Sequence, residues 1–302
     1  LALAVVVDEV PPPGAAVIGW PILWAIPLAP LRVAGGLDPD TAFAVALPLQ
    51  LLANAVAVVA CGYAGWYATG RRWAGIGAAA LFTAWPLVTR ALAGPDAWAN
   101  GQWHVDVGLH LYTEPISTAL VVVALALLLS PRLDAVRLTL AGVLLGFGTA
   151  VRVSNGLLAA AVVVLVVGRL GVRRAAPLLV GGAAFVPLVL VYWPKGYPEI
   201  PNVPTFSPGH AARNWSESLV FTPWVTVALV VLAVAGAFAV RDRWHALLLG
   251  AAVAVNPAFY TFYEVTYLHP RFLYASLPPL FVLVAAAVVG VRPRKSEASV
   301  DV

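Results

Sequence analysis

Along most of the chain, apolar residues run for about 20 positions at a time and then give way to short polar or basic loops. A helix that crosses a bilayer needs a run of about that length. Such runs fall at residues 41–69, 73–93, 107–130, 175–193, 222–240, 244–262 and 272–291. Two further apolar stretches depart from the template. Residues 15–33 carry Pro21, Pro27 and Pro30, each lacking a backbone donor, and are expected to form a broken or interfacial pair of short helices. Residues 138–167 are too long for one crossing and are interrupted by Arg152-Val153-Ser154-Asn155-Gly156. Arg152 and Asn155 at the bilayer centre would be costly, so the stretch is expected to break there into a re-entrant hairpin or two short helices.

The expected fold class is therefore an all-α polytopic membrane protein, with one transmembrane domain over residues 1–302. In that reading residues 1–40 form an extracytoplasmic loop with juxtamembrane helices, and 41–193 hold the central spans with the broken hairpin. Residues 194–221 form a second extracytoplasmic loop, and 222–302 hold the last spans and a cytoplasmic tail. Composition points the same way: 61% hydrophobic and 11% charged residues, against roughly 45–50% and 25% in soluble domains, exclude a water-soluble globular fold. The one cysteine, Cys61, lies inside an apolar run, which removes a disulfide framework and a Cys-based metal site. An apolar stretch is already under way at Leu1 and the chain has no methionine, so a first span is expected to precede Leu1.

Charge then sets the orientation. Basic residues cluster at Arg71/Arg72, Arg132/Arg137, Arg169/Arg173/Arg174, Arg241/Arg243 and Arg292/Arg294/Lys295, and the positive-inside rule makes these loops, and the C-terminus, cytoplasmic in a plasma-membrane protein. Counting crossings through the spans and the hairpin puts every cluster on that side. The opposite face receives Asp8, Glu9, Asp38, Asp40, Asp96, Asp106, Glu114, Glu199, Glu217 and Glu264, with His104, His110, His210 and His269. Groups that move protons or bind cations are thus gathered outside. Exclusion of Lys and Arg from that face accounts for loop carboxylates, but not for Glu114, Glu264, His269 or Arg271 at helix ends.

Four segments could carry chemistry. Asp8-Glu9 stands where an apolar segment meets Pro11-Pro12-Pro13-Gly14, and a carboxylate near apolar surface gains a raised pKa and can act as a base or hold a cation. Residues 94–115 form a loop rich in Trp, His and Asp, with Asp96, His104 and Asp106 as further candidates. It ends at Thr113-Glu114-Pro115, where Thr113 can cap a helix and Glu114 falls in its first turn at the outer surface. Capping and catalysis are both open for Glu114. Arg152 with Ser154 and Asn155, beside helix ends with free amides, suits a phosphate or pyrophosphate, although an arginine snorkelling to the interface would look the same. His269-Pro270-Arg271 precedes the last span and could bind an anionic headgroup or serve as an anchor. A zinc spacing is absent there. Neither a phosphate-binding P-loop nor a dinucleotide glycine fingerprint occurs, so no nucleotide is expected.

These segments resemble the membrane-embedded GT-C glycosyltransferases, which use polyprenyl-phosphate-linked sugars. Asp8-Glu9 and the proline-broken 15–33 look like that family's first extracytoplasmic loop with its acidic pair and juxtamembrane helices. Tyr112-Thr113-Glu114-Pro115 is similar to its aromatic-hydroxyl-Glu-Pro helix start. Residues 140–158 look like its glycine- and leucine-rich segment ending in an arginine, with Arg152 on that arginine and Val153 where proline is usual. Residues 269–280 resemble its late Arg-, Leu- and Pro-rich helix start. The resemblance implies a GT-C-like bundle in which Asp8, Glu9 or Glu114 activates an acceptor hydroxyl of a glycan, lipid or protein. Arg152, Asn155, His269 and Arg271 would hold the polyprenyl phosphate as leaving group. A divalent metal at Asp8 with Asp96 or Asp106 is compatible but not required, and a nucleic-acid partner is not implied. Two other classes stay open: a catalytically silent scaffold in a membrane complex and, with no internal repeat to support it, a transporter.

Overall fold

The structure is a computed structural model that describes residues 39–93, 114–191, 207–218, 223–263 and 270–290. Asp8, Glu9, Asp96, His104, Asp106 and His269 lie outside the described residues, as do the 15–33 stretch and the 112–113 part of the Glu114 motif. Within the described residues the chain is helical and contains no strand.

The helices follow the apolar runs. They are α1 (Pro39–Thr69), α2 (Arg72–Ala93), α3 (Glu114–Leu129), α4 (Ala135–Val151), α5 (Asn155–Leu170), α6 (Val172–Ala183), α7 (Val186–Val191), α8 (Gly209–Ser218), α9 (Pro223–Ala239), α10 (Arg243–Phe262) and α11 (Leu277–Val289). Their stops are chemical. Gly70, Gly171 and Gly290 take positive φ immediately after α1, α5 and α11, and each donates its N–H back to a carbonyl four residues earlier. Asp134 and Asp242 accept backbone N–H groups at the starts of α4 and α10.

The interior is centred on α3 and α11, whose residues are buried almost throughout. Helices α1 and α4 and the segment Pro270–Ser276 pack on α3, while α1, α2, α9 and α10 surround α11. Cys61 is buried at the α1–α11 contact, with its sulfur 3.6 Å from the Pro278 carbonyl oxygen.

Three expectations need correction. The 175–193 run is not one helix but α6 and α7, divided by a turn at Ala184–Phe185. Pro187 has no N–H to donate to Ala183 and disfavours a helical Val186, so the ladder breaks just upstream. The last span opens as a 3-10 segment, Pro270–Ser276, before α11. Pro278 and Pro279 cannot donate to the Tyr274 and Ala275 carbonyls, and the chain winds tighter there. Finally, the polar 194–221 insert holds a helix, α8. As expected, the 138–167 run divides at Arg152-Val153-Ser154, although its two arms, α4 and α5, are 17 and 16 residues long. At 1.5 Å per residue each is about 25 Å, longer than a shallow re-entrant arm.

Helices meet closely where side chains vanish. A Cβ placed on Gly236 of α9 would lie 1.8 Å from the Leu283 carbonyl oxygen of α11, and one on Gly142 of α4 would lie 2.1 Å from that of Leu178 in α6. Small residues at these crossings let the two backbones approach this closely. Gly236→Ala is expected to push α9 off α11 and cost about 3 kcal/mol, the upper end for overpacking. Gly168→Ala, with nothing within 4 Å of the added carbon, is expected to be neutral or stabilising. Thermal unfolding of the two variants in detergent checks the pair, and equal midpoints would show that α9 and α11 do not pack this way.

Candidate functional site

The two ends of the bundle differ in chemistry. At one end the arginine loops are tied together. The Arg241 N–H donates to Ala68 O, 3.1 Å away, and Arg71 Nη1 donates to Val289 O at 2.8 Å and also to Gly290 O. Arg169 lies 3.4 Å from Asp242 and over the ring of Trp244, and Arg72 lies over Trp66. Arg137 pairs with Asp134 in the loop after α3. Four of the five basic clusters therefore share one end. The fifth begins at Arg292, outside the described residues, but α11 delivers the chain to the same place.

At the other end lie the start of α3, the α4–α5 turn, the end of α10 and the 3-10 segment. Arg152 occupies the C-cap of α4 with extended backbone, its N–H donating to Gly148 O at 3.0 Å. The turn is closed by Asn155 N–H to Arg152 O and Gly156 N–H to Val153 O. This geometry swings the Arg152 side chain inward, where each nitrogen has a partner. Nη1 lies 2.5 Å from Glu114 Oε1. Nη2 donates to Tyr260 Oη at 3.0 Å, and Nε to Ser154 Oγ at 3.1 Å. The guanidinium carbon also stands 6.0 Å from the Tyr260 ring centre. Only 12% of the Arg152 side chain and 7% of the Glu114 side chain are exposed.

Two expected site residues, Glu114 and Arg152, are thus brought into contact from segments far apart in sequence. Their relation differs from the expected one. The Glu114 carboxylate does not face the outer surface but turns inward to neutralise Arg152, a result of the first turn of α3 being buried. Asn155 donates to Gly148 O at 3.3 Å and braces the turn. Its Oδ1 is buried with no hydrogen-bond partner among the described residues. Arg271 has its backbone in the 3-10 segment, which packs on both α3 and α10, but its side chain lies outside the described residues.

Tyr260 was not expected here. Its signal lies in spacing: Asn256 and Tyr260 stand four apart on α10, an inward polar strip on an otherwise apolar helix, just as Glu114 and Thr118 do on α3. Thr118 Oγ1 and Asn256 Oδ1 are buried without a hydrogen-bond partner among the described residues. They extend the polar strip one turn deeper into the bundle on each helix. Asn214 of α8 completes the end, its amide donating to the carbonyls of Tyr260, Thr261 and Tyr263 and so capping α10.

Among the described residues no group of three or more His, Cys, Asp or Glu side chains could hold a metal. The metal ligands considered above, Asp8 with Asp96 or Asp106, lie outside the described residues. No protein-family profile, curated protein or solved structure matches the chain.

Proposed function

We propose that this chain is an integral-membrane glycosyltransferase of GT-C type, which moves a sugar from a polyprenyl-phosphate donor to an acceptor at the acid-rich end of the bundle. The membrane half of the reading rests on surface chemistry. Helices spanning 47–69 and 243–262 are long and apolar enough to cross a bilayer, and five shorter apolar helices accompany them. Large apolar side chains face outward around the bundle, with Phe238 86% and Trp73 74% exposed. Water would penalise that surface, whereas lipid would not. Segregation of the arginine loops to one end supports placing that end in the cytoplasm.

The observation that carries the transferase half is the buried Glu114–Arg152–Tyr260 centre. It joins the Glu-Pro helix start to the arginine-ended segment, two of the stretches on which the resemblance rests. A buried ion pair at a helix break is expensive to keep, and such groups inside membrane bundles usually mark a site of function. One feature favours a second reading, a catalytically silent scaffold: each Arg152 nitrogen is already engaged within the chain, as a purely structural pair would be. Transfer of labelled hexose or pentose from polyprenyl phosphate by the full chain in liposomes separates the two. Product supports the transferase, and inertness toward every such donor supports the scaffold.

Orientation has its own test. In a Cys61→Ala background, single cysteines replacing Arg132, Arg173 and Arg243 are expected to react with an impermeant thiol reagent from the cytoplasmic face only. Ala212→Cys on α8 is expected to react from the opposite face. Labelling of any two of the arginine positions from opposite sides would sink the topology.

A further inference from the structure

Between α1 and α3 an elongated cavity of about 580 Å³ opens to the outside of the bundle. Its walls are apolar stripes at helical spacing, Val56 and Val59 from α1 against Val123 and Leu127 from α3. Val59 is 58% exposed, so nothing among the described residues covers the slot. From Leu52 to Tyr67 it runs about 22 Å at 1.5 Å per residue, more than half of a ~30 Å hydrocarbon core and enough to take an acyl chain through one leaflet. The slot changes character at the arginine-rich end, where Tyr67, Ser130 and Arg137 line it. Tyr63, Trp66 and Tyr67 form a stacked ring cluster at that level, as aromatic side chains do at a membrane interface.

Arg137 is the deciding residue. Its Nη1 pairs with Asp134, while Nε and Nη2 have no partner among the described residues. A ligand that fits must have an apolar chain about one leaflet long and an anionic head able to meet that guanidinium. We infer that the slot between α1 and α3 binds one acidic phospholipid, its acyl chain along Val56, Val59, Val123 and Leu127 and its phosphate at Arg137. Charge complementarity selects the headgroup: Arg132 lies five residues from Arg137, and Arg72 opens the neighbouring helix α2 at the same end. Asp134 opposes binding by competing for the same guanidinium. The inference rests on the membrane reading above but not on sugar transfer, and the site lies at the end of the bundle opposite to Glu114 and Arg152.

Native mass spectrometry of the full chain in detergent, titrated with phosphatidylglycerol and phosphatidylcholine of identical acyl chains, tests it. The expected result is five- to tenfold tighter retention of phosphatidylglycerol, as one interfacial arginine provides. Arg137→Gln should remove that preference. Asp134→Asn should strengthen it, because asparagine still caps α4 while the competing charge is gone. Val59→Trp should fill the slot and weaken both lipids. Equal retention of the two lipids by the wild type, or a preference untouched by Arg137→Gln, would overturn the inference. A photoreactive residue at Val59 that crosslinks to residues 1–38 instead of lipid would overturn it too, since the occupant would then be the chain itself. Lipid selectivity that persists in a chain inert toward every sugar donor would discard the transferase and keep this site.

Discussion

Arg152→Gln is expected to destabilise the protein by about 3–5 kcal/mol, the cost of leaving one member of a buried ion pair without its partner. The loss is large because Arg152 ties three elements together. Its guanidinium contacts Glu114 at the start of α3, Ser154 in the α4–α5 turn and Tyr260 near the end of α10. Glutamine cannot reach all three, and the Glu114 carboxylate would remain buried without its cation. Lysine should recover part of the loss, since it keeps the charge but not the planar fork. Glu114→Gln should also destabilise, and the double variant should cost less than the sum of the singles, because neither orphaned charge is then present. Thermal unfolding in detergent, followed by circular dichroism, gives all four values. An Arg152→Gln midpoint within about 1 °C of wild type would mean that the pair does not hold these helices together.

That centre also marks how far the sequence could be read. The helices were legible because apolar runs are long and their ends carry chemistry that acts locally: glycines able to take positive φ after α1, α5 and α11, and aspartates that cap α4 and α10. The break at Arg152 was legible because a charged residue interrupted an apolar run. The partner of Arg152 was not. Tyr260 lies 108 residues away, and hydropathy says which residues avoid water without saying which of them meet. Glu114 was misjudged for the same reason. At a helix start a carboxylate is equally suited to solvent and to a buried cation, and only the packing of α3 against the 3-10 segment and α4 decides. The division of α6 from α7 differs in kind, since Pro187 signalled it and the length of the apolar run concealed it.

The inward turn of Glu114 carries a consequence for the proposed reaction. A buried carboxylate held 2.5 Å from a guanidinium is occupied by that contact and is not presented to an acceptor hydroxyl. On the transferase reading the base must then come from the other acidic candidates, and Asp8, beside Glu9 and the proline run, is the first of them. Asp8→Asn is expected to lower turnover by about 10²–10⁴-fold, the usual contribution of a positioned general base, while donor binding stays near wild type because only proton acceptance is removed. Glu114→Gln should lower turnover less, and in step with its loss of stability, because it acts by positioning Arg152. Single-turnover transfer from a polyprenyl-phosphate sugar, measured beside donor binding for both variants, distinguishes the roles. If Glu114→Gln is inactive but as stable as wild type while Asp8→Asn turns over normally, Glu114 is the base, and its contact with Arg152 must open before the acceptor hydroxyl can reach it.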